Sequence, residues 1–159
     1  MLTLQSYSPT MKFREALLSD IPQLMKIRLS VKENILTRPE MVTEKICEEF
    51  LTGRGKGWVC EIDEEVVGFS IVDLKDKNVW ALFIDFKYEK KGIGKHLLEL
   101  LLDWYFQQTK ETIWLGTGAN TRAENFYRMQ GWYEAGLSGT KEIKFEMSYA
   151  DWVAKKVHH

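Results

Sequence analysis

Lys90-Lys91-Gly92-Ile93-Gly94-Lys95 places three ammonium groups and two glycines within six positions. Such a segment suits an anion. Glycine lets a ligand come close to the backbone. The apolar run Leu82-Phe83-Ile84 precedes the segment, and Leu97, Leu98, Leu101, Leu102 and Tyr105 follow it at helical spacing, so it joins a strand to a helix start. A helix start carries unsatisfied N–H groups and a partial positive charge, which together seat phosphate. The loop is therefore read as the holder of a phosphorylated cofactor. Taken alone, Gly92-Ile93-Gly94 fits a tight strand-to-helix turn equally well.

Spacing removes two well-known phosphate loops. A P-loop needs G-x-x-x-x-G-K-[ST], and neither that spacing nor the closing hydroxyl is present. A dinucleotide fingerprint needs Gly or Ala at its sixth position, where Leu97 stands, and no early βαβ unit precedes it. Other chemistries lack residues too. His96 is the sole histidine apart from the terminal His158-His159, which leaves no Ser–His nucleophile and no zinc set, so no metal is expected. Cys47 falls on a helical stripe and Cys60 in an apolar strand, with no C-x-x-C. Both read as reduced thiols of a cytoplasmic protein.

The elements that position the loop follow from periodicity. With 159 residues, 45% hydrophobic and 13% aromatic, the chain reads as one domain, structured from about 12 to 149, with 1–11 and 150–159 peripheral. A net charge of −1 argues against a nucleic-acid partner. No apolar run approaches the ~20 residues of a membrane span, and residues 1–11 lack the regions of a signal peptide. A strand is expected over Met11–Ala16, then a helix capped by Asp20 and running to about Val31. A second helix follows Pro39 with Val42, Ile46 and Phe50 on one stripe, and Gly53, Gly55 and Gly57 break the chain. Strands at 58–62, 66–72 and 78–84 form a meander. The long helix reaches Gln108, and a short apolar strand covers 112–115. Thr121-Arg122-Ala123-Glu124 fits a capping box for a helix ending at Gly131, before strands at 132–135 and 141–147. The order β-α-α-β-β-β-α-β-α-β-β predicts an α/β fold: a mixed, mostly antiparallel central sheet with helices on both faces.

Two separated motifs on these elements resemble the GNAT superfamily of acyl-CoA-dependent N-acyltransferases. Leu82-Phe83-Ile84 followed by Glu89-Lys90-Lys91-Gly92-Ile93-Gly94 is similar to its apolar strand end and Q/R-x-x-G-x-G/A loop. Asn120, Ala123, Phe126-Tyr127 and Gly131-Trp132 resemble its second signature, and Phe13-Arg14-Glu15-Ala16 with Asp20 and Arg28 its opening. The resemblance spans about 12–149. Glu89 departs from it, putting a negative charge where Gln or Arg is usual, and Phe86 stands for a frequent Pro.

The resemblance implies acetyl-CoA as co-substrate and a primary amine, small-molecule or peptide, as acceptor. It implies that the strand of Phe83 and Ile84 holds the pantetheine through main-chain groups, with the Ile84 N–H stabilising the oxyanion. Lys91, Gly92, Gly94 and Lys95 are implied at the pyrophosphate. Plain core strand and solvated lysines are the bland alternatives. Asn120 is implied at the cofactor, with helix capping as its rival. Tyr127 is implied as the acid that protonates the departing thiolate, with a packed aromatic as its rival. No general base is evident. Gly116 stands near the place where some members carry Glu, leaving Asp85, Glu142 and Glu146 as candidates. The missing carboxylate and Glu89 keep a non-catalytic acyl-CoA sensor in play. Glu33, Glu40, Glu44, Glu48 and Glu49, with Trp132 and Tyr133, would form an acidic, aromatic rim for a cationic acceptor. A homodimer is common among such proteins.

Overall fold

The computed structural model describes residues 10–30, 43–139 and 142–157. β1 (Met11–Glu15) leads through a tight turn at Leu18–Asp20 into α1 (Ile21–Ser30), and α2 (Glu44–Glu49) follows. A meander of β2 (Gly55–Ile62), β3 (Glu65–Asp73) and β4 (Asn78–Ile84) precedes α3 (Ile93–Gln108). Then come β5 (Ile113–Gly118), α4 (Arg122–Met129), β6 (Tyr133–Ser138), β7 (Glu142–Met147) and α5 (Tyr149–Val157). The strands form one seven-stranded sheet in the order β1-β2-β3-β4-β5-β7-β6. All its neighbours run antiparallel except β4 and β5. This is the mixed, mostly antiparallel sheet that the periodicity predicts.

Side chains alternate between the two faces of a strand, and each face has its own core. On one face, Leu97, Leu98, Leu101, Leu102 and Tyr105 of α3 pack with Cys60, Ile113, Leu115 and Phe145. On the other, Leu24 and Ile27 of α1 and Phe50 pack with Val59, Phe69, Ile71 and Phe83. Ile113, Leu115, Ile143, Phe145 and Met147 all join the α3 core. Alternation therefore turns Trp114, Gly116, Glu142, Lys144 and Glu146 to the opposite face.

Several local expectations change. Asp20 does not cap α1. Its buried carboxylate accepts from the Leu17 N–H at 2.7 Å and from both terminal nitrogens of Arg14 at 2.8 Å, bonding backward to the turn and β1. Gly55 and Gly57 lie inside β2 and do not break the chain. A methyl on Gly55 would sit 1.7 Å from the Val72 carbonyl oxygen, so glycine there permits close strand approach. Residues 150–157, expected to be peripheral, belong to α5, whose Trp152 is buried and stacks on Phe106 with ring centroids 6.1 Å apart. The expectations at Val31, Pro39 and Val42 fall outside the described residues.

Candidate active site

β4 and β5 meet at one pair, Asn78 with Trp114, and separate beyond it. A cause lies on the other side of β4. Ile71 pairs with Ala81 but Val72 with Val79, so Trp80 is an extra residue. Such a bulge bends a strand and increases its twist. The Asp85 N–H donates to the Val67 carbonyl at 2.8 Å, toward β3. Main-chain groups of successive residues alternate in direction, so Phe83 also bonds toward β3, whereas Leu82 and Ile84 present N–H and C=O to the opening. The main-chain groups of Phe83 therefore point to β3, and the opening is lined instead by those of Leu82, a residue that sequence reasoning missed. Its hint was the period of two counted back from Ile84.

The glycine loop lies at the mouth of this opening. Gly92 adopts a left-handed conformation (φ 80°) immediately before α3 and provides no side-chain cap. The first helical bond runs from the His96 N–H to the Gly92 carbonyl, which leaves the amides of Ile93, Gly94 and Lys95 without intrahelical partners. The Lys90, Lys91 and Lys95 side chains are exposed. A methyl on Gly94 would lie 3.7 Å from Phe126 and 3.8 Å from Ile84, so the loop, the end of β4 and α4 converge there. Glu89 does not face the loop as a bare charge: its carboxylate is ion-paired with Arg122 on the first turn of α4. His96 is exposed, with its ring stacked 4.0 Å from Phe13.

Thr121 caps α4, its hydroxyl accepting from the Glu124 N–H at 3.2 Å. The returning arm of the box reaches one residue further: Glu124 Oε1 accepts from the Asn120 N–H at 2.7 Å. Asn120 is exposed in a left-handed conformation (φ 61°) and does not cap the helix with its side chain. Tyr127 is buried, 5.8 Å from the Trp132 ring and 6.2 Å from that of Phe145. Burial pushes its phenol pKa up, so the hydroxyl keeps its proton at neutral pH. Trp132 belongs to this core and not to an acceptor rim. Tyr133 is exposed and donates its hydroxyl to Glu146. Glu44, Glu48 and Glu49 are exposed on α2, whereas Glu33 and Glu40 lie outside the described residues.

The three candidate carboxylates differ in their surroundings. Asp85 accepts from the Lys87 N–H in the turn that follows β4. Glu146 accepts from Tyr133 at 3.2 Å and pairs with Lys144 at 3.6 Å. Glu142 is partly buried, and a methyl on Gly116 would lie 2.8 Å from its Oε1. No group of three or more His, Cys, Asp or Glu among the described residues is placed to hold a metal ion. No described helix is long and apolar enough to cross a membrane.

The sequence model of the Acetyltransferase (GNAT) family matches residues 21–132, and the chain belongs to that family. Its fold recurs in solved structures of low identity. An acetyltransferase of the GNAT family from Staphylococcus aureus Mu50 superposes with a TM-score of 0.74 at 20% identity, covering 88% of this chain and 99% of that one. The paia N-acetyltransferase from Thermoplasma acidophilum, solved in complex with coenzyme A, gives 0.69 at 15% identity, with coverages of 88% and 99%. The ribosomal-protein-S18-alanine N-acetyltransferase from Escherichia coli gives 0.68 at 20% identity, with coverages of 87% and 92%.

Proposed function

We propose that this chain transfers an acetyl group from acetyl-CoA to a primary amine by direct attack. The observation that carries this reading is the β4–β5 opening. It presents the main-chain groups of Leu82 and Ile84 next to the unsatisfied amides that begin α3. A sheet edge suits an extended amide-bearing arm, and a helix start suits its pyrophosphate. Coenzyme A, present in one structural relative, has both parts.

Each residue then has a role. The Gly92, Gly94 and Lys95 segment receives the pyrophosphate, with the Lys91 and Lys95 ammonium groups close by. Leu82 and Ile84 align the pantetheine, and the Ile84 N–H meets the thioester oxygen as it gains charge. Phe83 packs behind them in the α1–α2 core, and Asn120 borders the cofactor from the start of α4. Tyr127 gives its proton to the departing sulfur. A phenol held protonated at neutral pH can serve a developing thiolate in this way.

The test is thiol release from acetyl-CoA with a panel of alkyl, aryl and peptide amines, run beside calorimetric titration of acetyl-CoA. Turnover with at least one amine is expected. Tight acetyl-CoA binding with no turnover on any amine would instead make the chain an acyl-CoA sensor.

A further inference from the structure

The acetyl-transfer reading needs a group to take a proton from the acceptor, and position 116, on the face turned away from α3, carries only hydrogen. That space is filled from the next strand. A methyl on Gly116 would lie 2.8 Å from Glu142 Oε1, 3.0 Å from Ser138 Oγ and 3.1 Å from Ser138 Cβ. A carboxylate rooted on β7 thus lies over β5, in the volume a side chain at 116 would occupy.

Its level along the sheet is set by pairing. Gly118 is opposite Glu142, and Asn78 is opposite Trp114. Four residues on from Trp114 along β5, and five on from Asn78 along β4 because Trp80 is an extra residue, bring Gly118 and Glu142 level with Phe83, across the opening from the main chain of Leu82 and Ile84. The other face there is closed by Leu115, Phe145 and Tyr127. An amine entering the opening therefore meets the Glu142 face. Asp85 and Glu146 are held by the Lys87 amide and by Tyr133 and Lys144. Glu142 has no ion pair among the described residues, and its partial burial raises its pKa.

We infer that Glu142 is the general base that removes a proton from the acceptor amine. The inference rests on the acetyl-transfer reading above. Glu142 takes one proton from the incoming ammonium, and the freed nitrogen pair forms the new C–N bond. The C–S bond breaks with its electron pair on sulfur, which takes the Tyr127 proton. The surplus nitrogen proton then passes to the Tyr127 phenolate, and Glu142 releases its own proton to water. Lys144 and Glu146 on β7, Tyr133 on β6 and Arg28 of α1, over the Phe83 ring, also lie on the face of Glu142; β5 has no titratable residue.

The experiment measures kcat/KM against pH for wild type, Glu142→Gln, Gly116→Ala and the double variant Gly116→Glu/Glu142→Gln. An alkyl amine and an aryl amine, the latter unprotonated at neutral pH, serve as acceptors, with acetyl-CoA affinity measured in parallel. Glu142→Gln is expected to lose about 10²-fold on the alkyl amine, lose less on the aryl amine, lose the acid limb and keep its acetyl-CoA affinity. Gly116→Ala displaces the Glu142 carboxylate and presses on Ser138 of β6, and is expected to lose activity while folded by circular dichroism. The double variant regains at least about ten-fold by returning a carboxylate from β5, about 1.4 kcal/mol in the barrier. Glu142→Gln activity equal to wild type, or an equal loss on both amines, overturns the assignment of Glu142 alone. No turnover by wild type overturns the acetyl-transfer reading and this inference with it.

Discussion

At Tyr127 a single oxygen separates two roles, since the ring packs between Trp132 and Phe145 and the hydroxyl holds its proton. Tyr127→Phe keeps the ring and removes only the hydroxyl proposed as the acid. It is expected to lower kcat about 10²-fold in steady-state assays while leaving acetyl-CoA affinity and Tm near wild type. Unchanged kcat would refute the acid role. Cys47 and Cys60 are at most 1% exposed, and burial raises each thiol to about 11. Little thiolate is therefore present to attack a thioester. Native protein treated with iodoacetamide at pH 8 is expected to keep its activity. Glu142 carries the opposite cost. Its folded pKa lies above the value of about 4.3 expected when unfolded. Its contribution to stability is thus present below that pH and lost as pH rises through the folded value. Glu142→Gln is accordingly expected to raise Tm near pH 7 while it lowers activity.

At the scale of elements, the Glu89–Arg122 pair joins the glycine loop to the first turn of α4. It also answers the one acidic residue in an otherwise basic loop. On the proposed placement of the pyrophosphate at this loop, Arg122→Ala leaves the Glu89 charge uncompensated beside it and is expected to raise KM for acetyl-CoA. Adding Glu89→Gln should remove the defect. Arg122 is exposed and Glu89 half-buried, so the effect should stay within about five-fold, or ~1 kcal/mol, and shrink as salt rises. A KM for Arg122→Ala equal to wild type would leave the pair with no role at the loop. Legibility at this scale was uneven. The meander, the long helix and the capping box were readable because hydrophobic period and caps are local signals. The bulge at Trp80 was not, because it exists only in the pairing of β4 with β3.

Across the whole molecule, stability and site are separable. Asp20, Arg14 and Glu61 join the turn before α1 to β1 and β2. Hydrogen bonding from Arg14 holds the Asp20 carboxyl below its ordinary range. Its contribution to stability is present above about pH 3.9 and is lost as pH falls through the lowered folded value. Asp20→Asn is expected to flatten the acid branch of a denaturation curve. Trp152 fixes α5 to Phe106 on the α3 face, away from the opening. Trp152→Ala is expected to cost about 3 kcal/mol in urea unfolding with KM for acetyl-CoA unchanged.

By itself the sequence determined the element order as far as β7, the mixed sheet, the glycine loop and the Asn120–Tyr127 segment, because period, caps and glycine placement act over a few neighbouring residues. Tertiary structure alone decided that Leu82 and Ile84 face the opening, that Arg122 answers Glu89, and that Glu142 fills the space over Gly116. These pairings join residues 26 to 33 positions apart or depend on the direction of a peptide group. Only strand pairing and helix docking, which close long loops, bring such groups into contact. The glycine loop is legible as a strand-to-helix turn, and only the folded sheet brings the Glu142 carboxylate over Gly116.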